Sequence, residues 1–199
     1  MKKVFIIHGY GGLPNGGWFP WLSRELAKKE IATISLLMPD THNPSLVQWM
    51  KKINEESKQF DADTILLGHS LGATATLRFL ESIPSGTMIG GVVLVSGCIS
   101  SLQKEKKESI FRKVDAFVEP SINLEKIKKL NIPTIVIHGT DDSVVPFSHA
   151  EIISRGLGCT LVTVLGGNHF SQLGDAPCYE LPEAFEAVLA LLQSTTPNL

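Results

Sequence analysis

This chain predicts an α/β architecture: a mainly parallel sheet of about six strands with helices on both faces. Two observations carry the prediction. Short apolar, β-branched runs alternate with longer amphipathic stretches from end to end, the pattern of strands joined by helical crossovers. One run, Thr64-Ile65-Leu66-Leu67, passes through Gly68-His69-Ser70-Leu71-Gly72 straight into a helical pattern, which reads as a sharp strand-to-helix turn. With 199 residues, 43% of them hydrophobic, residues 1–199 can bury one core as a single domain.

The first strand is read at Val4–Ile7. Its preceding lysines imitate a signal peptide, but the apolar run is too short and His8-Gly9 follows without a small-residue cleavage site, so a core strand is expected. A helix over Trp18–Lys29, a strand over Thr33–Leu37 and a helix over Ser45–Lys58 follow. After the strand Thr64–Leu67, the helix Leu71–Ser82 places Ala73, Leu77 and Leu80 at helical spacing. It stops at Ile83, because the residue before Pro84 is pushed out of helical geometry.

Beyond the strand Val92–Val95 comes a long excursion, 97–132, with charged helical stretches and a break at Val118-Glu119-Pro120-Ser121. It is read as a small lid giving partial cover, the alternative being a crossover with extra turns. The strand Thr134–Ile137, the helix Pro146–Arg155, the strand Leu161–Val164 and the helix Leu181–Leu192 complete the pattern.

A formal charge of -2 and the lack of a long basic stretch leave no electrostatic footprint for nucleic acid. The densest charge run, Gln103 to Glu108, alternates in sign and reads as a solvated helix face. No run reaches the roughly 18 apolar residues of a membrane span. Cys98, Cys159 and Cys178 are scattered and odd in number, which suits a reducing cytoplasm rather than a disulfide framework.

Chemistry concentrates at Ser70. The turn strains its backbone, so only small residues fit two places either side, and Gly68 and Gly72 supply them. The strain presents the hydroxyl on the first turn of the next helix, where free amides favour developing negative charge. A serine hydroxyl needs a base, and the base an orienting acid. Ligands bind outside the carboxyl ends of parallel strands, so both belong in loops after strands. Two places qualify: Ile137 to Pro146, holding Asp141 and Asp142, and Val164 to Phe170, holding His169.

These three motifs resemble the α/β-hydrolase superfamily, which implies a three-layer sandwich. The short chain, Ile7-His8-Gly9-Tyr10-Gly11-Gly12 and Trp18-Phe19-Pro20-Trp21-Leu22 resemble the small serine hydrolases of the YdeN and retinoblastoma-binding-protein type. The resemblance implies Ser70 as nucleophile and His169 as base. The superfamily pattern Gly-x-x-Asp-x-x-Val-Pro places the acid at Asp142, leaving Asp141 as a turn residue bonding loop amides. It also puts the oxyanion on the backbone amides of Leu71 and Tyr10.

Among the other histidines, His8 and His138 precede glycine at strand ends and are read as structural rings bonding backbone. His69 fills the variable position of the turn, and His42 and His149 are read as exposed. Gly9 to Gly17 invites a nucleotide-binding reading, but Pro14 stands at the third glycine of the dinucleotide fingerprint and no Gly-Lys-Ser/Thr follows. No histidine or acid pair has a zinc motif's spacing, so neither cofactor nor metal is expected.

Cleavage of a small-molecule acyl substrate, a carboxylester, thioester or small amide, is the expectation. The substrate would lie in a pocket walled by Tyr10, Leu71, Phe170 and the excursion. A protein-interaction module on the same scaffold is the alternative, although such modules typically lack a member of the triad. Protein partners are left open.

Overall fold

The computed structural model describes residues 1–102, 109–172 and 177–194. The charged run Gln103–Glu108 lies outside the described residues. Six strands form one sheet: β1 (Lys3–Ile7), β2 (Ala32–Ser35), β3 (Thr64–His69), β4 (Gly91–Val95), β5 (Thr134–Gly139) and β6 (Thr160–Val164). Their order is β2-β1-β3-β4-β5-β6 and every neighbouring pair is parallel. Among the described residues seven α-helices lie between and after them: α1 (Phe19–Ala27), α2 (Leu46–Glu56), α3 (Leu71–Ser82), α4 (Ser109–Val118), α5 (Leu124–Lys128), α6 (Phe147–Leu157) and α7 (Pro182–Ser194).

Alternation within each strand builds a core on both faces. Phe5, Ile7, Leu66, Val92, Leu94 and Val136 face the helices α2 to α6. Val4, Ile6, Ile65, Leu67, Val93, Val95 and Ile137 face α1 and α7. This division follows from the strand order. The chain steps outward from β1 to β2, then reverses across β1 to β3, and a right-handed crossover running the other way covers the opposite face. Both faces of the central strands are therefore buried, and their sequences are apolar throughout.

The reversal also decides where a ligand fits. Strands β1 and β3 are neighbours whose outgoing connections diverge, and a crevice opens at their carboxyl ends. The loop after β1 and the turn after β3 border that crevice, and the loops after β5 and β6 reach it.

Some element boundaries differ from the sequence reading. β3 and β5 run on to His69 and Gly139, because pairing with their neighbours continues to those residues. Helix α3 ends at Ser82, with Ile83 extended at ψ 151°, as steric conflict with Pro84 requires. His149, read as exposed, is instead buried: it sits on the inner face of α6, where its Nδ1 accepts the Ile99 amide at 3.1 Å.

The excursion after β4 contains α4 and α5, and its anchor is Arg78 on α3. This buried guanidinium donates from Nε to the Phe117 carbonyl at 2.7 Å, from Nη2 to the Pro120 carbonyl, and from Nη1 to Glu81 at 2.8 Å. Glu81 accepts the Asn123 amide at 2.8 Å. The end of α4 is thereby fastened to the helix that carries the turn.

Candidate active site

Ser70 has φ 54° and ψ -122°, a left-handed backbone costing a non-glycine residue about 1–3 kcal/mol. It persists because the surroundings over-determine it. The Ser70 amide donates to the Val95 carbonyl of β4 at 2.8 Å, and its own carbonyl accepts the Ala73 amide at 3.0 Å. A Cβ on Gly68 would stand 2.6 Å from the Ala73 Cα, and one on Gly72 would run into the Ile7 carbonyl. The turn and β1 touch backbone to backbone, so bulk at either glycine would force them apart.

His169 comes from the loop after β6. Asn168 and Phe170 on either side of it have φ 47° and 51°, and Gly166 has φ 68°, so the chain doubles back within a few residues. His169 Nε2 lies 2.9 Å from Ser70 Oγ, and its Nδ1 lies 2.8 Å from Asp142 Oδ2. A carboxylate only accepts, so Nδ1 carries the proton and Nε2 is left to accept the Ser70 hydroxyl hydrogen.

Asp142 is buried, which opposes its ionisation. Hydrogen bonds from His138, His169 and the Val145 amide outweigh that cost and hold the carboxyl well below the usual carboxylate range. Its Oδ1 accepts the amides of Val144 and Val145, both at 2.8 Å. Asp141 takes a different place: its carboxylate accepts the Asn168 amide at 2.9 Å, joining the acid loop to the histidine loop.

The Tyr10 and Leu71 amides make no hydrogen bond within the protein among the described residues. The loop that carries Tyr10 is braced by Gly11 N to Thr41 O at 2.9 Å and Gly12 N to Gly9 O at 3.1 Å. Gly9 brings it against Ser70, since a Cβ there would lie 2.8 Å from the Ser70 Cβ. The Tyr10 hydroxyl points elsewhere and donates to the His42 carbonyl at 2.9 Å. Lys113 of α4 donates to the same carbonyl at 3.0 Å.

Two cavities open onto Ser70. A cleft of about 100 Å³ runs along the glycine-rich loop to Trp18, Phe170 and Gln172. A second, apolar cavity of about 150 Å³ includes Tyr10 and Leu71 in its lining, with Val114 of α4. The three residues expected to wall one pocket thus divide: Tyr10 borders both cavities, Leu71 the apolar one and Phe170 the cleft.

Three contributors were not assigned from the sequence. His69 Nε2 donates to the His169 carbonyl at 2.9 Å, while burial first, and His169 second, push its pKa down to about 3. Trp18 Nε1 donates to the Phe170 carbonyl at 3.1 Å. Asn168 Oδ1 accepts the His169 amide at 2.8 Å. Together they clamp the histidine loop from both sides. The adjacency of His69 to Ser70 and of Asn168 to His169 is visible along the chain; the bonds from His69 and Trp18 to the histidine loop join distant segments. His8 meets backbone groups at Gly9 and Met38.

Parallel sheet, helices on both faces and the strained turn after β3 make this an α/β hydrolase. The chain belongs to the serine hydrolase family, whose model matches residues 4–187. It is 32% identical to YdeN of Bacillus subtilis (strain 168) over 195 residues, 98% of each chain. It is 27% identical to serine hydrolase RBBP9 of Rattus norvegicus over 174 residues, 85% of this chain and 88% of that one. The crystal structure of the B. subtilis ydeN gene product superposes with a TM-score of 0.88 at 31% identity, covering 97% of this chain and 100% of that chain. Est1E of Butyrivibrio proteoclasticus, with ferulic acid bound, shares the fold at a TM-score of 0.76 and 17% identity, covering 98% of this chain and 89% of that one. No helix among the described residues is long and apolar enough to cross a membrane.

Proposed function

We propose that this hydrolase cleaves small carboxylesters, thioesters or amides by acyl transfer through Ser70, His169 and Asp142. One observation carries the reading: a single imidazole lies 2.9 Å from the Ser70 hydroxyl through one nitrogen and 2.8 Å from a buried carboxylate through the other.

In the first half-reaction Ser70 Oγ bonds to the substrate carbonyl carbon while its proton passes to His169 Nε2. Asp142 stabilises the imidazolium that results. The carbonyl oxygen becomes an anion held by the Leu71 and Tyr10 amides; a donor of this kind contributes about 2.7–4 kcal/mol. The bond to the leaving group breaks as His169 returns the proton to it. Water then attacks the acyl-enzyme, giving a proton to His169 that goes back to Ser70. A carboxylesterase is the best description of this chemistry. Helix α4 acts as partial cover, and the three free cysteines favour a reducing compartment such as the cytoplasm.

A fluorophosphonate probe tests the reading. Wild-type protein is expected to form a covalent adduct that Ser70→Ala abolishes and His169→Ala slows by orders of magnitude. A folded wild type that forms no Ser70-dependent adduct would favour a binding module on the same scaffold.

A further inference from the structure

The two cavities beside Ser70 differ in chemistry. The cleft sets glycine backbone at Gly9, Gly11 and Gly12 and polar Gln172 beside the aromatic Trp18, Phe19 and Phe170, so part of its wall can hydrogen-bond to a visitor. The other cavity, about 150 Å³, is lined beyond Ser70, His169 and Tyr10 by Leu71, Cys98, Leu102, Val114, Val144 and Val145. Cys98 behaves there as a small apolar side chain, since burial pushes its thiol up to about 11. All but Val144 are buried.

We propose that this apolar cavity is the acyl pocket, selecting acyl groups with a compact arm of about six carbons beyond the carbonyl, and that Val114 sets the limit. The proposal rests on Ser70 being an acyl-transfer nucleophile. Its size argument is direct: an apolar cavity of this volume accepts one benzene-sized guest.

Assignment to the acyl arm follows from the reaction. That arm stays bonded to Ser70 Oγ through both half-reactions, whereas the leaving group must depart and water must take its place near His169. An apolar cavity suits what stays; a cleft with hydrogen-bonding groups in its wall suits what comes and goes. Val114 is singled out because it belongs to α4. Its wall is held by Arg78 at the far end of that helix, apart from the loops that carry the reacting groups.

The test measures kcat/KM for p-nitrophenyl acetate, butyrate, hexanoate, decanoate, palmitate and benzoate, with Ser70→Ala as background. We expect about a fourfold rise per methylene up to hexanoate, equivalent to about 0.8 kcal/mol for each buried CH2, and a fall of more than roughly tenfold by palmitate. Benzoate is expected to rank with hexanoate. Val114→Phe is expected to cut the hexanoate-to-acetate ratio roughly tenfold, and Val114→Ala to move the optimum toward decanoate. Acetate esters of lengthening alcohols should show no comparable optimum.

A rate that climbs through palmitate, an optimum unmoved by either Val114 variant, or one found in the alcohol series instead would overturn the proposal. Should Val114→Phe fail to fold, Val114→Ala decides alone. Absence of Ser70-dependent turnover across every ester is the distinct result that removes the acyl-transfer reading, and this pocket's role with it.

Discussion

His138 Nε2 lies 3.2 Å from Asp142 Oδ2, the same oxygen that His169 Nδ1 approaches at 2.8 Å. The two residues are one loop apart at the end of β5, and His138 is wholly buried. Its Nε2 also lies 2.9 Å from the Val145 carbonyl. Both neighbours are acceptors, so Nε2 carries the proton and shares it between them. With the two amides on Oδ1, the buried carboxylate has donors on both oxygens, and its orientation is set before His169 arrives.

Removing this donor should loosen Asp142 without touching a reacting atom. His138→Leu is expected to lose about 1.5–3 kcal/mol of stability and about tenfold in the rate of Ser70 labelling. His138→Gln, with an amide donor, should recover part of both. Urea denaturation beside timed fluorophosphonate labelling would measure the pair, and a labelling rate unchanged in His138→Leu would deny the positioning role.

The neighbouring acids should separate cleanly. Asp142→Asn is expected to lower turnover by about 10⁴-fold while the protein still folds, because the amide cannot fix the same imidazole tautomer. Asp141→Asn should keep most turnover and cost about 1 kcal/mol through its weakened bond to the Asn168 amide. Steady-state kinetics on one ester substrate distinguishes them; equal losses would contradict the assignment.

Strain at Ser70 predicts a stability difference between two variants that lack its hydroxyl. Ser70→Gly removes the Cβ that makes φ 54° unfavourable, whereas Ser70→Ala keeps it. The glycine variant should be the more stable by about 1 kcal/mol, the relief being partly offset by the greater freedom of glycine in the unfolded chain. Matched denaturation curves would show it.

Acid should weaken the fold in a defined window. His69 has a folded pKa of about 3, so below its ordinary value of 6.5 the unfolded chain takes up a proton that the folded chain refuses. Stability therefore rises with pH between these values, by up to about 1.4 kcal/mol per pH unit. Buried His8, also lowered by burial, adds in the same direction. Asp142, depressed in the folded state, contributes fully above the ordinary carboxylate range and loses that contribution as pH falls below it. Stability measured from about pH 7 to about pH 4 should fall less steeply for His69→Gln than for wild type; parallel slopes would count against His69 staying neutral.

The excursion's anchor should matter as much as its wall. Arg78→Met leaves two backbone carbonyls without their charged donor and is expected to cost about 2–4 kcal/mol. If the protein remains folded, preference among acyl chain lengths should broaden, since α4 is no longer fastened to α3. Denaturation together with the ester series would check both effects.

Much of the fold was legible because it is written in near neighbours. Alternation such as Val4-Phe5-Ile6-Ile7 marks a strand with two buried faces, and Pro84 ends α3 by a local clash. His149 misled because a lone polar residue in a polar stretch carries no sign of the helix face it occupies; only packing of α6 against the sheet turned it inward. Arg78 gives no signal along the chain for the same reason. Within a helical run it looks like any solvated charge, and its partners at Phe117 and Pro120 come from a segment whose path the sequence does not dictate.

By itself the sequence determined the strand-helix rhythm and the strained turn at Ser70, since both depend on side-chain bulk and polarity within a few residues. Gly68 and Gly72 are required there by sterics that any reader of the chain can apply. The motif Gly-x-x-Asp-x-x-Val-Pro already marks Asp142 over Asp141; tertiary structure alone decided that His138 and His69 brace Asp142 and His169, and that an apolar cavity lies beside α4. Those relations join loops far apart in sequence, brought together by the order of strands in the sheet, and a hydrogen bond exists only where its partners fall within about 3 Å of each other.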